Sequence, residues 1–165
     1  MAGDEREQDL TFMRIALEEA ARASVIGEVP IAAVVVRGNH ILAQAHNHRE
    51  LWQDPTAHAE MIAIRTASTG LGTWRLTETT LYVTVEPCSM CIGAIILARI
   101  PRVVFGAWDL KAGACGSVFD LPSEPKLNHR VAVTGGVLEQ ECQALIQMFF
   151  KQLRDASPAT NPLST

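Results

Sequence analysis

At 165 residues, the chain is long enough for one α/β domain and too short for two domains of ordinary size. Apolar residues make up 48% and charged residues 19%, and no apolar run is long enough to cross a bilayer. The 18 acidic and 14 basic side chains give a net charge of −4, which argues against a partner held by charge alone over the whole surface. The polar, acidic N-terminus lacks the basic and apolar regions of a secretory signal, so we expect a cytoplasmic protein without a membrane segment.

Hydrophobic periodicity divides the chain into a helix, a hairpin and then alternating helices and strands. This order is typical of a three-layer α/β/α sandwich around one sheet. We predict one domain over residues 1–154 and a disordered tail over residues 155–165, which are rich in Ser, Pro and Thr. Gly70 is expected to end the second helix. The predicted helices cover residues 10–23, 57–69, 88–98 and 138–154, and the predicted strands cover residues 31–36, 41–45, 81–85, 103–107 and 131–134.

Cys88 and Cys91 form a Cys-x-x-Cys motif in the first turn of a predicted helix. Their spacing places both sulfurs on one face near the helix N-terminus, where free N–H groups favour thiolates. His58 lies at the start of the preceding helix, and a crossover connection would bring both helix N-termini to the same edge of the sheet. The cysteine pair alone could equally be a redox pair or two buried thiols. Together with His58, it predicts a tetrahedral zinc site whose fourth position is open to water.

Glu60 follows His58 by two residues, and in the middle of a regular helix these side chains would point in opposite directions. We expect His58 to occupy the irregular first positions of the helix, so that both side chains reach one pocket. If Glu60 also bound the metal, the site would be closed. Left free, Glu60 can take a proton from water and pass it on during a hydrolytic reaction. The alternative is a solvated acid in the first turn, stabilised by the helix dipole.

The arrangement His58-x-Glu60 followed by Pro87-Cys88-x-x-Cys91 resembles the signature of the zinc-dependent nucleobase deaminases. Residues 12–150 further resemble the bacterial tRNA-specific adenosine deaminases. That resemblance implies a cytidine deaminase-like fold with a five-stranded mixed sheet, one zinc ion per subunit, and conversion of the wobble adenosine of an arginine tRNA to inosine. The stretches that carry it include Glu28-Val29-Pro30, Asp54-Pro55-Thr56-Ala57-His58-Ala59-Glu60, Leu81-Tyr82-Val83-Thr84-Val85-Glu86-Pro87-Cys88 and Asn128-His129-Arg130-Val131.

The resemblance also assigns roles to residues outside the motif. Asn47 would read the flipped base, since an amide offers both a donor and an acceptor, or it is an ordinary turn asparagine. Val29 and Pro30 would wall the base pocket, or they belong to the core. Asp109 and Lys111 would contact nucleotides that flank the target, or they form a solvated loop pair. The implied zinc ligands are His58, Cys88 and Cys91, and the implied proton shuttle is Glu60.

Two other functions remain open. A deaminase of a free base or nucleoside, such as guanine or cytosine, would use the same chemistry without RNA. A catalytically silent zinc protein that binds RNA or a partner subunit would need only the ligand set, and the retention of Glu60 argues against it.

We also predict two macromolecular partners. The predicted helix over residues 88–98 is apolar nearly all round, which together with the resemblance predicts a homodimer. The other expected partner is a tRNA anticodon loop, whose unstacked bases lower the cost of extracting a base.

Overall fold

The computed structural model describes residues 2–157. Within this range the chain forms five helices, five strands and one short 3-10 turn at Leu121–Ser123. The helices are α1 (Ala2–Val25), α2 (Arg49–Trp52), α3 (Ala59–Leu71), α4 (Ser89–Leu97) and α5 (Glu139–Ala156). The strands are β1 (Ala32–Arg37), β2 (His40–His46), β3 (Thr80–Val85), β4 (Arg102–Ala107) and β5 (Ala132–Thr134).

The strands form one mixed sheet in the order β2-β1-β3-β4-β5. Strand β1 runs antiparallel to both neighbours, whereas β3, β4 and β5 are mutually parallel. Because β2 and β3 both oppose β1, all strands except β1 run in the same direction. The carboxyl ends of β2, β3 and β4 therefore lie at one edge of the sheet, which is where ligands bind in open α/β sheets.

Alternating side chains direct the two faces of the sheet into separate cores. On one face, Val34, Tyr82 and Val104 pack against α1. On the other face, Val83 and Phe105 pack against α3 and α4 through apolar residues of both helices. Contacts of α5 with β4 place that helix on the same side as α1. The predicted three-layer α/β/α sandwich with a five-stranded mixed sheet is confirmed.

Helix α1 begins at Ala2, well before the predicted start at residue 10. The reason is a polar contact that an apolar pattern does not reveal. Asp9 is buried, and its carboxylate accepts hydrogen bonds from the Arg102 guanidinium at 2.7 and 2.8 Å and from the Tyr82 hydroxyl at 3.0 Å. This ion pair holds the first turns of α1 against β3 and β4.

The predicted end of α3 at Gly70 is wrong. Gly70 continues the helix, and Gly72 ends it with a left-handed backbone, φ 68°. The N–H of Gly72 bonds to the carbonyl of Thr69, and that of Thr73 bonds to the carbonyl of Ser68. This C-terminal cap favours glycine because a Cβ is disfavoured at positive φ.

Three other features bear on the predicted organisation. The short helix α2 lies in a segment predicted as irregular. Helix α5 ends at Ala156, so it continues two residues beyond the predicted domain boundary, and residues 158–165 of the predicted tail lie outside the described range. None of the described helices combines the length and the apolar character that crossing a bilayer requires.

Candidate active site

Helices α3 and α4 begin at the same edge of the sheet, and their N-caps carry the first two predicted ligands. His58 caps α3 with φ −74° and ψ 151°, and Cys88 caps α4 with φ −74° and ψ 175°. Because these residues are extended rather than helical, their side chains are free of the helical register. His58 Nδ1 lies 3.6 Å from Cys88 Sγ and 3.5 Å from Cys91 Sγ.

This donor group fits a tetrahedral metal ion. With Zn–S bonds of about 2.3 Å and Zn–N bonds of about 2.0–2.1 Å, tetrahedral geometry places nitrogen and sulfur ligands about 3.6 Å apart. The observed nitrogen-to-sulfur distances of 3.5 and 3.6 Å match this value. Among the His, Cys, Asp and Glu residues that the structure describes, these three form the group whose donor atoms all lie within 4.8 Å of one another. The group could therefore hold a metal ion with three protein ligands.

The two candidate cysteine ligands differ in their tendency to ionise. Hydrogen bonds from Cys91 and His58 lower the pKa of Cys88 to about 4, which makes it a thiolate. The hydrogen bond to Cys88, burial and the nearby Glu60 raise the pKa of Cys91. The contact with Cys88 in turn raises the pKa of His58. A second thiolate at Cys91 needs a positive charge beside it, and a metal ion supplies that charge.

Glu60 lies in the first turn of α3, one residue after the helix begins. Its side chain is buried, and burial raises the pKa of its carboxyl group. It lines the same cavity as His58 and Cys88. It does not belong to the three-residue donor group of the described chain. Glu60 is thus a buried carboxyl group that lines the same cavity as the candidate metal ligands and lies outside their donor group.

The cavity above these residues has a volume of about 630 Å3. Pockets of roughly 300–1,000 Å3 are typical of small-molecule sites, so the cavity can admit a nucleobase with part of its sugar. Its walls come from the segment before β1, the segments that follow β2, β3 and β4, the start of α3, and α5. The lining residues outside the donor group are Val29, Ile31, Asn47, Arg49, Ala59, Glu60, Val85, Glu86, Ala107, Trp108, Asp109, Leu110, Lys111, Ala112, Gln143, Ile146, Gln147 and Phe150.

The amide of Asn47 is held in one orientation at the cavity wall. Its Nδ2 donates to Glu28 Oε2 at 3.3 Å, and its Oδ1 accepts from the backbone N–H of Arg49 at 3.1 Å. Glu28 is fully buried and also accepts from the backbone N–H groups of Glu50 and Leu51, which caps α2. Each end of the amide keeps capacity for one further bond, so Asn47 can present both a donor and an acceptor to a base.

A second buried carboxylate, Glu86, organises the loop after β4. It accepts hydrogen bonds from the backbone N–H groups of Asp109, Cys115 and Ser117 at 3.1 to 3.3 Å and from the Ser117 hydroxyl. A Cβ on Gly113 would overlap Glu86 Oε2, so only glycine fits there. Glu86 thereby fixes the loop next to the candidate metal ligands.

The other predicted substrate contacts lie at different depths. Val29 lines the cavity, whereas Pro30 is buried and lies outside the lining set. Asp109 and Lys111 both line the cavity, and Asp109 Oδ1 accepts from the backbone N–H of Lys111 at 3.0 Å. Trp108 packs edge-on against Phe105, with ring centroids 4.7 Å apart, and remains partly exposed in the wall.

Glu28 and Glu86 are not among the predicted site residues. The available signal was position: Glu86 directly follows the buried strand β3, and Glu28 lies four residues before the buried strand β1, where an unpaired carboxylate would be costly. Their partners could not be named, since those lie 19 to 31 residues away along the chain.

Comparisons with known proteins identify relatives that match most of the chain. A family model described as MafB19-like deaminase matches residues 7–154. The chain is 49% identical over 152 residues to the tRNA-specific adenosine deaminase of Bacillus subtilis, covering 92% of this chain and 94% of that protein. It is 46% identical over 150 residues to the tRNA-specific adenosine deaminase of Haemophilus influenzae, covering 90% of this chain and 87% of that protein.

Solved structures give the same picture. A structure from a study of A-to-I editing by tRNA A34 deaminases at the wobble position matches with a TM-score of 0.79 and 43% identity, over 82% of this chain and 98% of that chain. A guanine deaminase from Nitrosomonas europaea matches with a TM-score of 0.70 and 25% identity, over 83% and 81% of the two chains. The family match covers most of the chain, and the curated relatives approach half identity over nine-tenths of it. The chain therefore belongs to the MafB19-like deaminase family, among the tRNA-specific adenosine deaminases.

Proposed function

We propose that this protein is a zinc-dependent enzyme that hydrolyses adenosine to inosine at the wobble position of a tRNA anticodon, with arginine tRNA as the expected substrate. The observation that carries the proposal is the buried Glu60 beside the donor group His58, Cys88 and Cys91 in one base-sized cavity. The names of the curated relatives and of the tRNA A34 deaminase structure support the choice of substrate.

Zinc is the metal that these ligands favour. Two thiolates and one imidazole suit a borderline-soft ion with tetrahedral preference. When bound by His58, Cys88 and Cys91, zinc would supply a Lewis acid that lowers the pKa of a water molecule in the cavity.

Glu60 moves the protons of the reaction. Its carboxylate accepts a proton from water as the water oxygen attacks C6 of adenine, and it delivers that proton to N1. It then assists transfer of a proton to the exocyclic nitrogen, so that adenosine and water yield inosine and ammonia. Burial raises the pKa of Glu60, which suits a group that must hold a proton between two steps.

The cavity wall positions the base. Asn47, fixed by Glu28, offers an amide edge to the purine, and Val29 supplies apolar contact. Pro30, next to Val29 in the chain, is buried and lies outside the cavity lining, so we expect it to contribute to the pocket only through Val29. Asp109 and Lys111 lie on the loop held by Glu86, and in this proposal they contact nucleotides that flank the target.

Deamination of a free base is the second candidate. Guanine deaminases are among the structural neighbours, including one from Bacillus subtilis at 30% identity with a TM-score of 0.59, covering 93% of this chain and 98% of that chain. The tRNA deaminase structure is more similar, at 43% identity. We therefore place the free base second.

One assay separates the two candidates. Purified protein is incubated with unmodified arginine tRNA, and inosine is measured by mass spectrometry after digestion. Parallel reactions contain free guanine, adenosine and cytidine. We expect inosine in the tRNA and no turnover of the free compounds. Turnover of a free base without inosine in tRNA would replace tRNA deamination by free-base deamination as the proposed function. No turnover of any substrate would favour a catalytically silent binding protein.

We further propose that residues 1–154 form one catalytic domain and that the cytoplasmic enzyme is a homodimer. Leu97 at the end of α4 is 71% exposed, and Phe119, in the loop before the turn packed on α4, is 57% exposed. Apolar side chains this exposed favour an interface. Light scattering should give twice the chain mass of 17.9 kDa, and a mass equal to one chain would refute the dimer.

A further inference from the structure

Three aromatic rings form a continuous stack beside the cavity. The rings of His46 and His48 have centroids 4.3 Å apart with an interplanar angle of 20°. The rings of His48 and Trp52 are also 4.3 Å apart, at 26°. Trp52 ends the stack and is 52% exposed. One end of the stack is therefore an indole surface open to solvent.

Hydrogen bonds hold this stack in place from its inner end. The Glu19 carboxylate contacts His46 Nδ1 at 2.8 Å, and the carbonyl of His46 contacts His48 Nδ1 at 2.8 Å. The backbone N–H of Trp52 donates to the carbonyl of His48 at 2.9 Å. Trp52 thus packs on a histidine ring whose position is fixed. This lowers the conformational entropy that Trp52 would lose on contacting a ligand.

The stack lies next to the cavity through the short helix α2. Asn47 and Arg49 line the cavity on either side of His48. Arg49 and Trp52 are three residues apart on α2, so they are neighbours on one helix face. The guanidinium of Arg49 is half exposed, and its ion pair with Glu50 is long, at 3.7 Å. A cation that lines the cavity and an open aromatic surface therefore lie three residues apart on the same short helix.

We propose that Trp52 stacks on an unpaired nucleobase next to the target adenosine and so contributes to RNA binding. This inference rests on the proposed function. Unpaired RNA bases are commonly recognised by stacking on aromatic side chains, with a cation near the backbone phosphate. Trp52 supplies the stacking surface and Arg49 supplies the cation, whereas the cavity itself holds the reacting base.

The chain offers a matched control for this role. Trp74 is 53% exposed and contacts the guanidinium of Arg75, and no residue of its loop lines the cavity, whereas Arg49 on the helix of Trp52 does. The variants Trp52→Ala, Trp52→Phe and Trp74→Ala are compared for inosine formation in an anticodon stem–loop. Trp52→Ala should raise KM about tenfold and leave kcat within about twofold, because stacking contributes to binding rather than to chemistry. Trp52→Phe should keep most of the affinity, and Trp74→Ala should match the wild type.

Equal KM values for Trp52→Ala, Trp74→Ala and the wild type would overturn the proposal. Thermal unfolding is measured for each variant, since removal of Trp52 also uncovers His48. If Trp52→Ala unfolds, Trp52→Leu serves in its place, because leucine still covers His48 but offers no aromatic face. The same rise in KM is then expected.

Direct binding separates this inference from the proposed activity. Fluorescence anisotropy follows a labelled anticodon stem–loop with each variant. If the wild type forms no inosine but binds the RNA, and Trp52→Ala weakens that binding, the deamination proposal fails and the stacking role stands. If the wild type does not bind the stem–loop, or Trp52→Ala binds as well as the wild type, the stacking role fails.

Discussion

Three buried glutamates surround the cavity, and their contacts differ. Glu28 is 1% exposed and Glu86 is 3% exposed, and both accept hydrogen bonds from backbone N–H groups that shape the walls. Glu60 is 4% exposed and lies next to the candidate metal ligands. Glu28 and Glu86 therefore hold the backbone around the site, whereas we propose that Glu60 takes part in the reaction.

Replacing Glu60 by glutamine tests the chemical role of this carboxyl group. The amide keeps the shape but cannot accept and return a proton, so we expect kcat to fall about 100- to 10,000-fold. Bound zinc, measured by plasma mass spectrometry, should remain at one ion per chain, and the unfolding temperature should change little. A kcat within a few-fold of the wild-type value would show that Glu60 does not transfer the protons of the reaction.

The sequence allowed the reacting residues to be predicted but not their supports. His58, Glu60, Cys88 and Cys91 fall within two short motifs, so their juxtaposition follows from helix starts at one sheet edge. Glu28 acts on Asn47 from 19 residues away, a contact that only the tertiary structure reveals.

At the level of elements, the end of α3 depends on which glycine adopts a left-handed backbone. Gly72 has φ 68°, whereas Gly70 is helical, and a Cβ added there would meet no described atom within 4 Å. Gly70 and Gly72 are two residues apart in the sequence, and a glycine at either position could end the helix. Local pattern alone therefore put the end two residues too early.

Alanine at each glycine should have opposite effects on stability. Gly72→Ala forces a Cβ into a left-handed conformation and should lower the free energy of unfolding by about 1–2 kcal/mol. Gly70→Ala removes backbone freedom from the unfolded chain and should raise it by about 0.5–1 kcal/mol. Urea unfolding of the two variants measures both changes. A larger loss at Gly70 than at Gly72 would contradict the observed cap.

The loop after β4 depends on close packing at Gly113. A Cβ there would overlap Glu86 Oε2 and would lie 2.5 Å from the Asp109 carbonyl oxygen. Gly113→Ala should therefore displace the segment that carries Asp109 and Lys111, and kcat/KM for an anticodon stem–loop should fall about 10- to 100-fold. Gly70→Ala, which has space for its methyl group, serves as the control. An unchanged kcat/KM in Gly113→Ala would show that this loop does not contribute to substrate binding.

At the scale of the whole molecule, the three-layer architecture could be predicted from the alternation of helices and strands, whereas the strand order and the placement of charged side chains around the cavity could not. The net charge of −4 argues against an RNA partner held by charge over the whole surface. In the structure, the arginine and lysine residues that line the cavity are Arg49 and Lys111. We therefore expect RNA recognition by this chain to depend more on the cavity and its rim than on a broad basic surface.

The salt dependence of the RNA affinity tests how many phosphate contacts the protein makes. If about two phosphate contacts form with single-stranded RNA, the affinity for an anticodon stem–loop should fall only about sevenfold between 50 and 200 mM salt. Anisotropy titrations at several salt concentrations give the slope. A fall of about a hundredfold or more would require a basic surface well beyond Arg49 and Lys111.

The proposed activity is the deamination of one adenosine of a folded tRNA, bound in this cavity. Reverse transcription reads inosine as guanosine, so sequencing of arginine tRNA after incubation reports the modified position directly. We predict an A-to-G change at the wobble position alone with the wild-type protein, and none with Glu60→Gln. An unchanged wobble adenosine with the zinc-loaded wild type, or an equal change with Glu60→Gln, would contradict the account.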